Sequence, residues 1–165
     1  MQLLVTLVLG SFTGIRIGIS SVKAISESLN IPIVPVSSLE GLAYNVQNTN
    51  CDIICSLIDA RNNQVYAGIF DANYNLLEEY LADDINNVIN FLKKYNNIYF
   101  VGDGAIFHKS ILNINDFSYE NIIHATNIAK CGYNKYKKNI IKTADSIMPL
   151  YLRKSQAERM KKQNG

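Results

Sequence analysis

Three short β-type runs follow one another in the middle of the chain, and helical and strand-like segments alternate after them. Asp52 to Ile58, Val65 to Phe70 and Leu76 to Leu81 are apolar and rich in β-branched and aromatic residues, and the turn-forming stretches "ARNNQ" and "DANYN" separate them. Connections this short predict an antiparallel meander. Asp83 or Asp84 then stands where a helix cap is needed, ahead of apolar positions at Ile85, Val88, Ile89 and Leu92. Ile98 to Val101 reads as a short buried strand stopped by "GDG", and a weaker helix runs from Ala105 to about Leu112. Ile122 and Ile123 read as a last short strand, and Thr126 as the cap of a final helix ending near Lys138.

An antiparallel trio followed by alternating α and β elements is the ribonuclease-H-like pattern. The chain before residue 45 has a different organisation. Leu3 to Leu9 is a continuous apolar run, as expected of a strand buried on both faces. "GSFTG" turns the chain into a helix with apolar positions Ile15, Ile19, Val22, Ile25 and Leu29, ended by Asn30. Ile31 to Val36 carries Pro32 and Pro35, which suits a short or edge strand. Ser37 and Glu40 of "SSLE" form a capping box for the next helix. Asn45 to Asn50 reads as a linker. This strand–helix–strand–helix segment is the back half of a unit like the second, and two such units in tandem make the actin-like, sugar-kinase-like architecture. The expected division is residues 1–44 for the remnant first unit, 45–141 for the ribonuclease-H-like second unit, and 142–165 for a tail.

Charge and cysteine content exclude several classes. The 165-residue chain has a net charge of +2, too small for a protein that neutralises many phosphates unaided. Its late lysines and arginines, Lys135, Lys137, Lys138, Arg153, Lys154, Arg159, Lys161 and Lys162, read first as a solvated face and tail. Cys51, Cys55 and Cys131 show no zinc-like spacing and fit a reducing cytoplasm. The apolar start is too short to span a membrane.

Few residues are candidates for chemistry. Gly10, Ser11 and Thr13 in "GSFTGIRIG" stand at a strand-to-helix turn whose amides can hold an anion, although the spacing matches no phosphate-loop fingerprint. The same residues equally make a tight turn. Gly14, Gly18, Ser21, Ala24 and Ser28 form a stripe of small residues, suited either to the chain's own sheet or to a partner helix. Asp59 ends a strand where ribonuclease-H-like enzymes place a metal ligand, and Arg61 stands within pairing reach. Asp103, between Gly102 and Gly104, is a second loose carboxylate, in a turn that either contacts a nucleotide or simply joins strand to helix; a hydrolase needs several carboxylates that converge. His108 and His124 are too far apart for a metal pair on one helix face, so no metal is expected. Ser11 and Thr13 have no evident histidine base.

"GSFTGIRIG", "NIPIVPVSSLEGLA", "LIDARNNQVYAGIFD", "VGDGA" and "PLYLRK" occur in this order in the TsaB (YeaZ-type, glycoprotease-like) family, and the chain resembles that family from about Gly10 to about Glu158. The resemblance implies two actin-like units and a non-catalytic subunit lacking the metal-binding histidine pair of its relative TsaD. It implies pairing with TsaD through the helices of the first unit, here Phe12, Gly14, Arg16, Gly18, Ser21 and Val22, and self-association through the same surface. It further implies association with the ATPase TsaE, ATP used by the complex, and tRNA reached only through the complex. The product is threonylcarbamoyl on adenosine 37 of tRNA. The family pattern also opens with an "ILAIDTS" strand, two more strands and a long helix, none of which is in this sequence. Its "GPGSFTG" stands here as "VLGSFTG", with Val8 and Leu9 replacing glycine and proline. An incomplete first unit is therefore expected, through a wrongly chosen start, a frameshift or a truncation. Two other classes stay open: a homo-oligomeric fragment without partner function, and an actin-like nucleotide-dependent phosphotransferase.

Overall fold

A computed structural model describes residues 3–7, 12–47, 50–112 and 121–152 of the chain. The backbone of Leu3–Leu7 (β1) pairs in parallel with Ile33–Ser37 (β2), Leu3 opposite Ile33 and Leu7 opposite Ser37. Between them runs α1, Phe12–Leu29, ended by Asn30 at a positive φ of 50°. A left-handed asparagine is an ordinary helix stop, because its short side chain tolerates that region. Among the described residues one side of α1 is covered: Ile19 packs with Ile33 and Ile147, flanked by Ile15 and Val22. Ile25 and Leu29, on the same expected apolar face, remain 43% and 52% exposed. Val8, Leu9 and the side chains of β1 lie outside the described residues.

The capping box forms as the sequence requires. The Leu39 amide donates to Ser37 Oγ at 3.2 Å and the Ser37 amide to Glu40 Oε2 at 2.6 Å, opening α2, Ser38–Ala43. Leu39, Leu42 and Ala43 of α2 join Val46, Cys51, Ile54, Phe70 and Val101 in one core cluster. The apolar core thus continues from α2 through the 45–50 segment onto the larger sheet.

That sheet has four strands in the order β5-β4-β3-β6: Ile53–Asp59 (β3), Gln64–Asp71 (β4), Leu81–Asp84 (β5) and Ile98–Val101 (β6). β3–β4 and β4–β5 are antiparallel and β3–β6 is parallel. The opposite face is filled by Leu57, Val65, Ile69 and Cys55 against Ile85, Val88 and Leu92 of α3, Ile85–Leu92. Asp84 caps α3 by accepting the Asn86 amide at 2.9 Å.

Four elements differ from the sequence expectation. The third strand of the meander is not Leu76–Leu81. Asp71 accepts the amides of Asn73 and Asn75, both at 2.8 Å, and winds the chain into a turn; Leu76 makes one bridge to Phe70, and regular pairing begins only at Leu81. The helix expected from Ala105 to Leu112 is two short ones, Asp103–Phe107 (α4) and Lys109–Leu112 (α5), broken at His108, which is buried. Ile122–Ile123 is not a strand: Ile122 is 71% exposed and Ile123 packs on Val36, Ile128 and Cys131. The last helix, α6, is Ala125–Lys137 with His124 at its cap, so Thr126 lies inside the first turn. Arg153, Lys154, Arg159, Lys161 and Lys162 lie outside the described residues.

Candidate functional site

α1 presents a bare face. Thr13, Gly14, Arg16, Ile17, Gly18, Ser21 and Ile25 are all exposed, with Ile17 at 63%, and Val22 sits at the margin of the covered side. Positions 14, 18, 21, 25 and 28 recur at three- and four-residue steps, so they line one side of the helix. A Cβ added at Gly18 meets nothing within 4 Å among the described residues. The glycine therefore makes no close approach to the chain's own sheet. Ser21 Oγ donates back to the Ile17 carbonyl at 3.0 Å, which leaves the stripe short and satisfied. Arg16 is anchored at the rim, its Nε donating to the Tyr151 hydroxyl at 3.0 Å. Gly10 and Ser11 lie outside the described residues, as does the side chain of Phe12.

The second group of candidates meets at the C-terminal end of β3. The Asp59 amide donates to Asp103 Oδ1 at 3.0 Å, and Asp59 Oδ1 accepts the Arg61 amide at 3.2 Å. Both carboxylates are thus engaged with backbone, Asp59 through the turn that Arg61 begins at φ 62°. His108 Nε2 is 3.7 Å from Asp59 Oδ1, buried and without a hydrogen-bond partner among the described residues. Among the described residues no group of three or more His, Cys, Asp and Glu could hold a metal ion. Gly102 and Gly104 are buried against Leu57: a Cβ on Gly102 would stand 2.1 Å from the Leu57 carbonyl oxygen. The turn is packed onto β3, with the Asp103 carboxylate beside it.

Sequence reading missed a third feature. A groove runs along α6, between that helix and the 71–76 turn. Tyr44 and Tyr74 form its floor, stacked with ring centroids 4.2 Å apart and 25° between planes. The stack is pinned at both ends: Tyr74 donates to the Val46 carbonyl at 2.8 Å, and Asn134 Nδ2 donates to the Tyr44 hydroxyl at 3.1 Å. Burial raises the pKa of both hydroxyls, so they stay protonated donors. Glu40, the capping-box carboxylate, also accepts from Lys135 Nζ at 2.6 and 2.9 Å and ties α6 to α2. No described helix is long and apolar enough to cross a membrane.

Comparison with known proteins places this geometry. The family model described as "TsaD: tRNA N6-adenosine threonylcarbamoyltransferase" matches residues 5–161. The tRNA threonylcarbamoyladenosine biosynthesis protein TsaB of Bacillus subtilis is 36% identical over 107 residues, which are 62% of this chain and 46% of that protein. TsaB of Haemophilus influenzae is 27% identical over 161 residues, 87% of this chain and 66% of that protein. The chain thus spans about half of the first relative and just under two thirds of the second. Among solved structures, YeaZ from Pseudomonas aeruginosa superimposes with a TM-score of 0.72 at 21% identity, over 87% of this chain and 69% of that one. An uncharacterised protein with similarity to peptidase YeaZ, from the same organism, gives 0.76 at 20% identity, over 91% and 73%. These likenesses establish the actin-like, ribonuclease-H-like α/β fold. With a family match along nearly the whole chain and TsaB proteins as its curated relatives, the chain belongs to the tRNA N6-adenosine threonylcarbamoyltransferase family, on its TsaB (YeaZ-type) branch.

Proposed function

We propose that this chain is a non-catalytic scaffold subunit that supports TsaD in N6-threonylcarbamoylation of adenosine 37 in tRNA, and that it docks through the bare face of α1. The exposed stripe of Gly14, Ile17, Gly18, Ser21 and Ile25 carries the reading. A glycine inside a helix costs about 1 kcal/mol relative to alanine, and here that cost has no return within the described residues. Exposed isoleucines flanking small residues are what a second helix needs for close packing. The engagement of Asp59 and Asp103 with backbone amides supports a non-catalytic role, and ATP use is assigned to the complex through TsaE. The cytoplasm is the compartment that suits tRNA modification and unpaired thiols.

The test is capture of the full chain by purified TsaD. Gly18→Leu should abolish capture while the melting temperature stays within a few degrees, since the added side chain meets open space. Capture by the variant equal to wild type would refute the reading. Sedimentation of the chain alone separates pairing with TsaD from self-association through the same face.

A further inference from the structure

The α6 groove is not used by the docking reading, yet its composition is distinctive. Residues 121–142 hold five lysines and no aspartate or glutamate, in a chain whose net charge is only +2. Lys130, Lys135 and Lys137 lie on α6 itself, and Lys138 follows at its end. Lys135 is neutralised by Glu40 at 2.6 Å. Among the described residues the hydrogen-bond acceptor of Lys138 is neutral, Asn75 Oδ1 at 3.1 Å, and Lys137 Nζ stands 4.7 Å from the centre of the exposed Tyr133 ring. Lys130 lines the other end of the groove beside Tyr133 and Asn134. The acid that feels Lys138 is Asp71, and its carboxylate is already held by Asn73 and Asn75.

The groove opens as two adjoining hollows of about 380 and 520 Å³ that share Tyr44, Tyr74 and Asn134. Lys130 and Lys137 are seven positions apart, so their Cα atoms stand ~10 Å apart along the helix. One phosphate group does not bridge that distance, and a chain of phosphates does. Exposed Tyr133 offers a stacking face, and a pinned tyrosine pair with neighbouring asparagine amides offers donors and acceptors to base edges. A lipid surface would ask instead for a continuous apolar face able to enter the acyl boundary, whereas Leu76, Cys131 and Ile140 line only one of the hollows and stand there among asparagine amides, tyrosine hydroxyls and lysine ammonium groups.

We propose that the α6 groove is a direct RNA contact, with phosphates on Lys130, Lys137 and Lys138 and one base against Tyr133. The choice of RNA among polyanions rests on the proposed role in tRNA modification. The chain then adds its own hold on the RNA that the complex engages.

The experiment is an anisotropy titration of a fluorescein-labelled, unmodified tRNA transcript with the full chain, from 50 to 200 mM KCl. Wild type should bind at 50 mM and weaken with salt. The triple variant Lys130→Gln/Lys137→Gln/Lys138→Gln should bind about tenfold more weakly or worse and lose roughly 2 to 3 from the salt slope, near one per phosphate contact. Tyr133→Ala should weaken binding about tenfold with the slope unchanged, and Tyr133→Phe should bind as wild type. Lys93→Gln/Lys109→Gln, on other helices, should leave affinity and slope alone. Circular dichroism melts confirm that each variant is folded. The proposal is overturned if wild type does not bind at 50 mM KCl, or if the triple variant keeps affinity and slope. It is equally overturned if the lysines govern binding to phosphatidylserine vesicles and not to tRNA. Capture by TsaD is read separately: its loss would refute the scaffold role and leave the RNA titration to be judged by its own outcome.

Discussion

Replacing Gly102 by alanine tests whether the β6–α4 turn is a packing device. Gly102 has φ 106° and ψ 166°, a region that essentially only glycine occupies. Forcing alanine into it costs about 1–3 kcal/mol. The new Cβ would also stand 2.1 Å from the Leu57 carbonyl oxygen, more than 1 Å inside the ~3.5 Å optimum for non-bonded heavy atoms. Either the end of β3 or the turn must move, and such overpacking costs about 1–3 kcal/mol more. The sum, about 4 kcal/mol, is a large part of a typical domain stability of about 5–15 kcal/mol. With a urea m-value of about 2 kcal/mol/M, the unfolding midpoint should fall by about 2 M. Gly104→Ala is the internal comparison. Its Cβ would meet Leu57 at 3.0 Å without a positive φ, so only the packing cost applies, about 1–2 kcal/mol. Urea melts of both variants, followed by far-ultraviolet circular dichroism, decide the matter. A loss below about 1 kcal/mol for Gly102→Ala at unchanged m, or a larger loss for Gly104→Ala, would refute the geometry behind the argument.

Four further expectations follow from the packing. Glu40→Ala removes the capping-box acceptor and leaves Lys135, whose side chain is only 20% exposed, without its counter-charge; the loss should be about 2 kcal/mol by urea denaturation, between the values for exposed and fully buried pairs. Lys94→Ala, which breaks an exposed pair with Glu78 at 2.5 Å, should scarcely move the midpoint. Burial pushes the Cys55 and Cys131 thiols up to about 12. The unfolded thiols ionise first, near pH ~8.5, so this contribution to stability is intact below that pH and is lost progressively as pH rises toward 12. Melts of wild type and of Cys55→Ala across pH 8 to 10 should diverge in slope, and parallel curves would contradict the assignment. Ser56 Oγ is fully buried in β3 without a hydrogen-bond partner among the described residues; Ser56→Ala should therefore be neutral or stabilising by up to about 1 kcal/mol, and a loss above that would mean that the hydroxyl is satisfied.

What could be read in the sequence, and what could not, divides by range. Ser37 and Glu40 announced their capping box, and Ile85, Val88 and Leu92 their buried stripe, because both depend on residues within one or two turns. Cys55 was legible as core for the same reason, standing inside an unbroken apolar run. The third strand was misplaced because Asp71 competes for the chain: its carboxylate holds Asn73 and Asn75, and Tyr74, at φ 62°, reaches 28 residues back to the Val46 carbonyl. The polar segment Leu81–Asp84 then pairs at the sheet edge, where solvent on one side makes "ADD" acceptable. Thr126 was chosen as a cap on residue type, yet the boundary fell two positions earlier at His124, whose side chain makes no cap bond. The small-residue stripe of α1 was visible while its meaning was not. What bears on that choice is the space beyond Gly18, where an added Cβ meets nothing within 4 Å among the described residues.

The groove shows the same limit more sharply. Lys137 and Lys138 were legible as part of a basic run and read as a solvated face, and both are exposed; Lys130, exposed as well, stood outside that run. Nothing local joined them to Tyr44 and Tyr74, thirty positions apart from each other and far from α6. The partnership exists because α2 and the 71–76 turn pack on the large sheet and α6 closes over α2 through Glu40 and Lys135. A charge run becomes a candidate binding surface only when tertiary packing sets rigid rings and amides beside it. That is why composition alone, with a net charge of +2, argued against a nucleic-acid contact, while the packed groove is what the proposal of one rests on.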